Sequence, residues 1–515
     1  MSHCFAKIAI AVPRVYPGDV RKNVDEISSL LRTAAANGAD AFILPPSPVS
    51  GASCGDLFGH ALLASATLAG EAALAAEAES LGIKAVIASN DTLDGVKIIR
   101  EHICETVCGH EFRLSRLRDE SKGRLLIYCS SGYGESTGDG VCSGDAFAFE
   151  DGRLTAQSER YAHDSRLTYV TSGSGSITDV AEYVPTSPVD PMPFVPADKE
   201  ESARRCREIF NIQRNALACR MEKIGCKTAV IGISGGLDST LAVLATCETF
   251  DWLGLDRKGI IAVTMPGFGT SDRTRDNAGK LMDELGVNVR EVPIGPSVML
   301  HFKDIGHNPE IRNATYENAQ ARERTQILMD IANDCGGIVI GTGDLSESAL
   351  GWCTYNGDHM SMYSINCGIP KTLVREMVAY AASNGFSSCA SVLKSILDTP
   401  ISPELIPGQD GSIGQKTEEL VGSYELNDFF LYHFVRHGRK PSEIKSLAEQ
   451  AFTGKFDAAT IEKWLGTFIK RFFNSQFKRS CCPDGPRTGT VCLSPRGAWM
   501  MPSDMSCSLW LEDLD

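Results

Sequence analysis

At the start of the chain, short apolar runs alternate with amphipathic stretches, a pattern that predicts strands separated by helices. Strands are predicted at AKIAIAV, AFILP and IKAVIAS. Between the first two, apolar residues recur at helical spacing in DVRKNVDEISSLLRTAAANGAD, which predicts a helix ending near Gly38. From Arg124 onward, RLLIYCSSGYGES and AFAFEDGRLTAQS predict further strands, the last two joined by a turn at Asp151 and Gly152.

A second alternating series begins at Glu201 with the helical segment ESARRCREIFNIQRNALACRMEKIG. Strands are predicted at TAVIGISG, GIIAVTMP, NVREVPI and GIVIGTG, with helices around TRDNAGKLMDELG and TYENAQARERTQILMDIANDC. Short β-branched runs that alternate with helices predict a parallel, doubly wound sheet. From about Asp410 the chain is predicted to be helical and rich in loops, with a basic cluster at SQFKRSCCPDGPR.

A proline-rich segment from Glu182 to Glu200 separates the two series and predicts an extended connector. We therefore expect a domain over residues 1–180, a linker over 181–200 and a second domain over 201–515. The 515 residues are enough for two or three domains with full cores.

Composition and charge narrow the function classes. The hydrophobic share of 43% and the charged share of 22% are typical of a globular protein. Fifty basic residues against 65 acidic ones argue against a general nucleic-acid binder, although a local basic site could still take an anionic substrate. We expect that no apolar run reaches the length needed to span a membrane, and the first residues lack the cleavage pattern of a signal peptide. The 18 cysteines show no zinc-type spacing, so we expect reduced thiols in a cytoplasmic protein.

The segment GISGGLDST, from Gly232 to Thr240, is the strongest chemical motif. It follows a predicted buried strand and opens a helix, so its backbone N–H groups and the helix N-terminus can hold phosphate. Asp238 lies in the first turn, where a carboxylate could hold Mg²⁺ against phosphate oxygens. The plainer alternative is a glycine-rich turn in which Asp238 only caps the helix. The residues of the expected ATP loop are Gly232, Ile233, Ser234, Gly235, Gly236, Leu237, Asp238 and Ser239.

This motif resembles the pyrophosphatase loop of the ATP pyrophosphatase class, which by itself does not identify the acceptor. The segments TMPGFGTSDRTRDNA, TYENAQARERTQI, GTGDLSESALGWCTYNGDHMSMYSINCGIPKTLV, SILDTPISPELIP, DFFLYHFVRHGRKPSEI, FFNSQFKRS and LSPRGAW resemble the synthetase domain of the glutamine-dependent NAD synthetases. The resemblance runs from about Glu201 to Asp515. It implies an α/β fold: a doubly wound parallel-sheet ATP pyrophosphatase domain preceded by a truncated nitrilase-like α/β domain.

The resemblance also implies a reaction. AMP is transferred from ATP to the nicotinate carboxylate of deamido-NAD, and ammonia then displaces AMP to form NAD, with ATP and Mg²⁺ as cofactors. Asp238, Glu347 and Lys371 match catalytic positions, and Asp238 and Glu347 match metal ligands. Thr342, Lys371 and Thr399 match ATP contacts. The positions that match deamido-NAD contacts are Asn318, Arg322, Glu347, Trp352 and Lys478. By itself, Trp352 could equally be a core tryptophan and Lys478 a surface lysine.

The first 60 residues resemble the nitrilase-type glutaminase domain that NAD synthetases of this kind usually carry. That domain uses a glutamate, a lysine and a cysteine. At the position of the glutamate this chain has Pro46, which cannot exchange a proton. No equivalent of the lysine segment is found. Cys54 lies in a structural turn, and Cys129 aligns after the nucleophile strand. The roughly 175 residues before the linker also look too few for the family's four-layer sandwich.

We therefore expect a truncated, inactive glutaminase remnant, with ammonia taken from solution or from a glutaminase partner in trans. The open alternative is that Cys54, Cys129 or Cys142 has been recruited with new partners. Two other functions also stay open. One is a non-catalytic nucleotide-binding regulatory subunit of an active NAD synthetase, and the other is an ATP pyrophosphatase with a different acceptor. A homodimer or a higher homo-oligomer is expected from the resemblance.

Overall fold

The computed structural model describes residues 5–88, 91–171, 177, 187–270, 272–399 and 417–514. The chain forms two compact units, Met1–Val184 and Pro185–Asp515. The predicted linker, 181–200, lies partly outside the described residues, because residues 181–186 are not among them.

The first unit contains two four-stranded sheets, ordered β3-β2-β1-β8 and β4-β5-β6-β7. In the first sheet β1, β2 and β3 are parallel and β8 is antiparallel to β1. In the second sheet β4 and β5 are parallel, and the remaining pairs are antiparallel. The elements are β1 (Lys7–Val12), α1 (Val20–Ala36), β2 (Ala41–Ile43), α2 (Ala61–Ser80), β3 (Lys84–Val86), β4 (Val96–Glu101), α3 (Gly109–Glu120), β5 (Leu125–Ser130), β6 (Ala146–Glu150), β7 (Arg153–Gln157) and β8 (Arg166–Thr171).

The two sheets pack face to face and helices cover both outer faces. One core cluster joins the inner faces, with Ile8 and Ile43 from the first sheet and Ile127 and Ala148 from the second. A second cluster packs α1 and α2 on the outer face of the first sheet, and a third packs α3 on the second. All four layers are therefore present, so the expectation that the segment is too short for them was wrong. Among the described residues of this unit, short strands form the two inner layers and three helices form the two outer layers.

The predicted β6–β7 hairpin is confirmed. Asp151 and Gly152 take φ of 48° and 78°, the left-handed values that a two-residue hairpin turn of this hand requires. The loop around Cys54 is also tied down, because Glu135 accepts hydrogen bonds from the backbone N–H of Ala52 at 2.8 Å and of Ser53 at 3.0 Å. This loop is thus an ordered part of the scaffold.

By length and composition, α2 is the one described helix that could cross a membrane, and 17% of its most apolar window is buried. The expectation that no apolar run reaches such a length therefore does not hold for α2. A single helix of this kind is weak evidence of membrane insertion, because core helices and signal sequences meet the same criteria.

A buried ion network lies between α3 and the second sheet. The Arg113 guanidinium donates to Glu105 and Asp145, whose side chains are 0% exposed, and Arg160 pairs with both carboxylates at 3.1 and 2.9 Å. Burial by itself would raise the pKa of Asp145, but Arg160 and Arg113 hold it below its usual range. Both carboxylates therefore depend on these two cations.

Replacing Arg113 with methionine is expected to destabilise the first unit by about 3–5 kcal/mol, because it leaves Glu105 and Asp145 buried with one cation fewer. The unfolding of the first unit should be followed by hydrogen exchange of α3 and β5. Tryptophan fluorescence provides an internal control, since all 5 tryptophans lie in the second unit. Lys122→Met, which breaks an exposed pair with Asp119, is the matched control and should change nothing. If the amides of α3 and β5 are equally protected from hydrogen exchange in the Arg113 and Lys122 variants, the ion network does not stabilise the first unit.

The second unit is built on a parallel five-stranded sheet ordered β11-β10-β9-β12-β13. This confirms the predicted doubly wound sheet. Its elements are α4 (Lys199–Ile224), β9 (Ala229–Gly232), α5 (Leu237–Trp252), β10 (Ile260–Thr264), α6 (Asp272–Leu285), β11 (Asn288–Glu291), α7 (Gly295–Ile305), α8 (Ala314–Cys335), β12 (Ile338–Gly341), α9 (Leu345–Leu350), β13 (Tyr363–Ser364), α10 (Lys371–Ser383), α11 (Ala390–Leu397), α12 (Thr417–Val421), α13 (Tyr424–Leu431), α14 (Pro441–Ala451), α15 (Ala458–Asn474), α16 (Gln476–Arg479) and α17 (Ser508–Glu512).

The strand order reverses between β9 and β12. The chain runs from β9 outward through β10 and β11 and then returns to the other side of β9 as β12. In open parallel sheets, ligands bind in the crevice outside the carboxyl ends of the strands at such a reversal. The loops that follow β9 and β12 therefore border the expected binding crevice.

The C-terminal helices form a separate core beside this sheet. Phe429, Phe430, Phe468 and Phe472 are buried at 0% exposure, and Leu345 and Leu350 of α9 pack into the same cluster. The helix that follows β12 is thus anchored to the C-terminal helices, which fixes its side chains relative to the sheet edge.

Candidate active site

The expected ATP loop is a tight turn between β9 and α5. Gly235 has φ of +84°, and a Cβ there would lie 2.3 Å from the carbonyl oxygen of Thr274, so only glycine fits. The Ser234 N–H donates to Ser239 Oγ at 3.3 Å, and the Ser239 hydroxyl contacts the Gly236 carbonyl oxygen at 3.2 Å. The turn ends at the N-terminus of α5, a helix of 16 residues. Its free N–H groups suit a phosphate.

Three carboxylates and one lysine meet beside this loop. The Lys371 ammonium lies 2.7 Å from Asp238 Oδ2, 2.9 Å from Asp344 Oδ2 and 3.0 Å from Glu347 Oε1. The structure thus brings together Asp238, Glu347 and Lys371, the three residues predicted to be catalytic. It adds Asp344, which the sequence analysis did not select.

Local structure explains why these side chains converge. Asp344 ends the loop after β12 and caps α9, accepting a hydrogen bond from the Glu347 N–H at 2.7 Å. Lys371 is the first residue of α10 and follows Pro370. The Asn366 amide donates to the carbonyl oxygens of Asp238 at 2.9 Å and Thr342 at 3.1 Å, which joins the ATP loop to the end of β12.

Burial governs the charges of the cluster. Lys371 is 2% exposed and Asp344 1%. Burial would lower the pKa of Lys371, but Asp238, Asp344 and Glu347 together raise it well above its ordinary value, so the amine stays charged. Burial raises the pKa of Glu347 to about 7, while Lys371 opposes this shift. Burial and the neighbouring carboxylates also raise the pKa of Asp344 well above its ordinary value, and a bound cation would favour the charged form of both acids.

The donor set fits a magnesium ion. Oxygens of Asp238, Asp344 and Glu347 lie within 4.8 Å of one another. Carboxylate oxygens are hard ligands of the kind that Mg²⁺ prefers. Asp238 Oδ1 is buried and has no hydrogen-bond partner, which leaves an acceptor for a cation.

A cleft of about 910 Å³, open to solvent, extends from the cluster along the carboxyl ends of β12 and β13. Thr342, Asp344 and Glu347 line one end. Asp358 and His359 line it too, as do Lys478 and Arg496 from the C-terminal segment. Its concave shape and the polar groups that converge on it are features of ligand sites.

The predicted substrate contacts converge on the segment that follows α9. Asn318 and Arg322, on α8, contact it: Asn318 Oδ1 accepts from the Thr354 hydroxyl at 2.8 Å and Arg322 donates to the Tyr355 carbonyl oxygen at 3.2 Å. Lys478 Nζ donates to the carbonyl oxygens of Gly351 at 2.7 Å and Cys353 at 2.6 Å. These three side chains therefore hold the backbone around Trp352 in place.

Trp352 and Thr399 have other surroundings. The Trp352 ring packs partly against the C-terminal core, with the Arg471 guanidinium 5.0 Å from its centroid. Thr399 follows α11, and its described hydrogen bonds are local, from its hydroxyl to the Ser395 carbonyl oxygen at 2.8 Å and from its N–H to Ile396. The described contacts of Thr399 do not place it at the cluster, and its role as an ATP contact stays a prediction.

Two buried acids were missed by sequence reasoning. Asp344 has a recognisable signal, because Asp followed three residues later by Glu at a helix start indicates a capping box. Asp428 has no such signal in the sequence. Its carboxylate accepts hydrogen bonds from the Ser346 hydroxyl on α9 and from the N–H and hydroxyl of Thr372 on α10, the last two at 2.9 and 2.7 Å. Burial raises the pKa of Asp428 to about 6. It ties the helix of Glu347 to the helix of Lys371.

In the first unit, the segment predicted to match the glutaminase glutamate is held by Arg100. Arg100 donates to the carbonyl oxygens of Leu44 and Pro45 at the end of β2, and to those of Ile87 and Ala88 after β3. Pro46 follows directly. Burial raises the pKa values of the candidate thiols, to about 12 for Cys129. The Cys142 thiol, hydrogen-bonded to Cys104, also has a raised pKa.

The chain is similar to proteins of a known family. The family model described as NAD synthase matches residues 209–479, more than half of the chain. The glutamine-dependent NAD(+) synthetase of Mycobacterium tuberculosis is 37% identical over 446 residues, which cover 76% of this chain and 66% of the relative. The Mycobacterium leprae enzyme is 38% identical over the same shares. The chain therefore spans just under two thirds of the length of these relatives.

Solved structures show the same architecture. A glutamine-dependent NAD(+) synthetase from Cytophaga hutchinsonii superposes with a TM-score of 0.78 at 15% identity, over 99% of this chain and 100% of the other. The glutamine-dependent NAD+ synthetase from Acinetobacter baumannii, solved with ADP, superposes with a TM-score of 0.60 at 18% identity. The match covers 95% of this chain and 97% of the other. At these identities the likeness establishes the fold alone, a nitrilase-like unit followed by an NAD synthase unit. The chain belongs to the NAD synthase family.

Proposed function

We propose that this chain is an NAD synthetase that amidates deamido-NAD to NAD at the expense of ATP, with ammonia as the nitrogen donor. The observation that carries this proposal is the convergence of the ATP loop with Asp238, Asp344, Glu347 and Lys371 inside the matched region. The loop suits the phosphates of a nucleotide, and the adjoining open cleft is where we place the second substrate.

The reaction proceeds in two steps. A nicotinate carboxylate oxygen of deamido-NAD attacks the α-phosphorus of ATP, the bond from that phosphorus to the bridging oxygen breaks, and pyrophosphate leaves. The product is an acyl adenylate. Ammonia then attacks its carbonyl carbon, the bond to the AMP oxygen breaks, and a proton is lost as the amide forms. The sum is deamido-NAD, ATP and ammonia converted to NAD, AMP and pyrophosphate.

The chain contributes positioning and charge to the first step. Backbone N–H groups between Ser234 and Ser239 hold phosphate oxygens. Lys371 stabilises the negative charge that grows on the leaving pyrophosphate. Asp238, Glu347 and Asp344 would hold Mg²⁺, which neutralises phosphate charge when bound. Thr342, which lines the cleft beside the cluster, and Thr399 are assigned as further ATP contacts.

The deamido-NAD site is assigned to the cleft and the segment after α9. Trp352 faces the nicotinate ring in this assignment, and Arg322 suits a pyrophosphate oxygen of the dinucleotide. Lys478 and Asn318 act mainly through the backbone and the Thr354 hydroxyl that they hold. The buried location of the cluster protects the acyl adenylate from water.

We assign no glutaminase activity to the first unit. Pro46 replaces the expected glutamate, Arg100 occupies the carbonyl oxygens beside it, and Cys129 is 0% exposed with a raised pKa. Ammonia would come from solution or from a glutaminase in trans. Cytoplasmic location, a homodimer or higher homo-oligomer, and the domain limits 1–180, 181–200 and 201–515 belong to the same proposal.

A regulatory subunit that binds nucleotide without turnover is the second candidate. The intact catalytic cluster speaks against it, because a merely binding protein has no need of three carboxylates around a buried amine. A third candidate, another acceptor for the AMP group, is disfavoured by the match over residues 209–479.

A steady-state assay of the purified chain tests the proposal. With ATP, Mg²⁺, deamido-NAD and ammonium we expect NAD, AMP and pyrophosphate in equal amounts. Nicotinate mononucleotide or other carboxylates in place of deamido-NAD serve as the acceptor panel. Nucleotide binding without pyrophosphate release would favour the regulatory subunit instead.

A further inference from the structure

The Lys371 ammonium contacts the same three carboxylates that a divalent cation would need. Its three contacts, of 2.7, 2.9 and 3.0 Å, go to Asp238, Asp344 and Glu347. These are the carboxylates whose oxygens lie within 4.8 Å of one another. The ammonium donates hydrogen bonds to Asp238 and Glu347, and its contact with Asp344 is an ion pair, so the buried charge is held by this cluster.

We propose that Lys371 is a built-in competitor for the metal: its ammonium leaves the three carboxylates when a divalent cation binds them, and turns to an ATP phosphate. This inference rests on the proposed function, because it assigns a control of metal binding to the same site. It predicts that metal and ATP bind cooperatively, each weakly without the other.

Electrostatics explains the coupling. Two cations held by the same three carboxylates would lie close enough to repel each other strongly in a buried site. A displaced ammonium, however, cannot stay buried without an anionic partner. Asp238, its nearest contact, lies in the first turn of α5 beside the phosphate loop. A phosphate held by that loop supplies the new partner, so ATP lowers the cost of admitting the metal.

The backbone allows such a change. Lys371 begins α10, and its N–H donates to the Ser346 hydroxyl at 2.8 Å, which fixes the main chain. Its four-carbon side chain can turn about several bonds while the main chain stays in place. A cation at a helix N-terminus is also disfavoured by the helix dipole. The carboxylates therefore hold the ammonium, and their loss to a metal releases it.

The test measures metal binding directly. Mn²⁺ is titrated into the free chain and into the chain with α,β-methylene-ATP, which cannot release pyrophosphate, and bound Mn²⁺ is read by electron paramagnetic resonance. For the wild type, the analogue should tighten Mn²⁺ binding at least about tenfold. Lys371→Met should bind Mn²⁺ without the analogue at least about tenfold more tightly than the wild type, and the coupling should fall. Equal or weaker binding by Lys371→Met overturns the proposal.

Control variants locate the effect. Lys394→Met removes an exposed lysine on α11 and should leave Mn²⁺ affinity at the wild-type value. Adding Asp238→Asn to Lys371→Met should abolish the gain, because one ligand is lost. If Lys371→Met does not fold, the wild-type titration alone decides, and absence of coupling overturns the proposal. If the chain forms NAD from ammonium but the ATP analogue does not tighten Mn²⁺ binding, only this inference is refuted. If the analogue tightens Mn²⁺ binding but no NAD forms, only the proposed function is refuted.

Discussion

Replacing Asp238 with asparagine is expected to lower ammonium-dependent NAD formation by about 10²–10³-fold, the loss typical when one preorganised electrostatic group is removed from an active site. Asparagine keeps the size of the side chain but removes its charge. The Lys371 ammonium then loses its shortest ion-pair contact, of 2.7 Å, and the metal site loses one of three carboxylates. Pyrophosphate release on mixing ATP, deamido-NAD and Mg²⁺ measures the step directly.

Asp251 supplies a matched control on the same helix. It lies near the end of α5 and pairs with Arg257 at the surface, with its side chain 50% exposed. Asp251→Asn removes the same charge from the same helix far from the loop, so the rate should not change. If the two asparagine variants release pyrophosphate equally fast, AMP transfer does not occur at the carboxylate–lysine cluster.

Glutamine as the only nitrogen source is expected to support no NAD formation above background, whereas ammonium supports turnover. A nitrilase-type glutaminase needs a thiolate and a general base. Burial raises the pKa of Cys129 to about 12, and its side chain is 0% exposed. Pro46 stands at the position predicted for the base, and next to it Arg100 donates four hydrogen bonds to backbone carbonyl oxygens, one of them that of Pro45.

Restoring the missing carboxylate should not restore the activity. Pro46→Glu is expected to stay inactive with glutamine, because the thiol remains buried and the arginine remains in place. Addition of a separate active glutaminase should allow glutamine to serve, through released ammonia. The prediction would be contradicted if the purified chain used glutamine. Loss of that activity in Cys129→Ser, Cys54→Ser or Cys142→Ser would then identify the cysteine that has been recruited as the nucleophile.

Much of the second unit could be predicted because its signals are local. The strand at TAVIGISG, the glycine-rich turn and the helix from Leu237 occupy neighbouring residues, and the alternation of short apolar runs with helices indicates a parallel sheet. Asp238, Glu347 and Lys371 could be selected because their motifs are short and contiguous. Their meeting within 3.0 Å confirms that they form one cluster.

The first unit shows where such reasoning fails. Counting residues suggested that four layers would not fit, yet two sheets and three helices form them, because strands of three to six residues suffice. The helix α2 was missed altogether. Its alanine-rich sequence has little amphipathic contrast, so periodicity carries almost no signal there.

The family, the doubly wound sheet, the glycine-rich loop after β9 and the proline at position 46 could be recognised from the sequence alone, since each depends on residues close together in the chain. Only the tertiary structure decided which distant groups act together. Asp428 links α9 to α10 through Thr372, which lies 56 positions earlier in the chain. Arg100 donates to carbonyl oxygens 55 and 56 positions away. A buried charge needs partners from wherever the fold brings them, and chain spacing does not encode that choice.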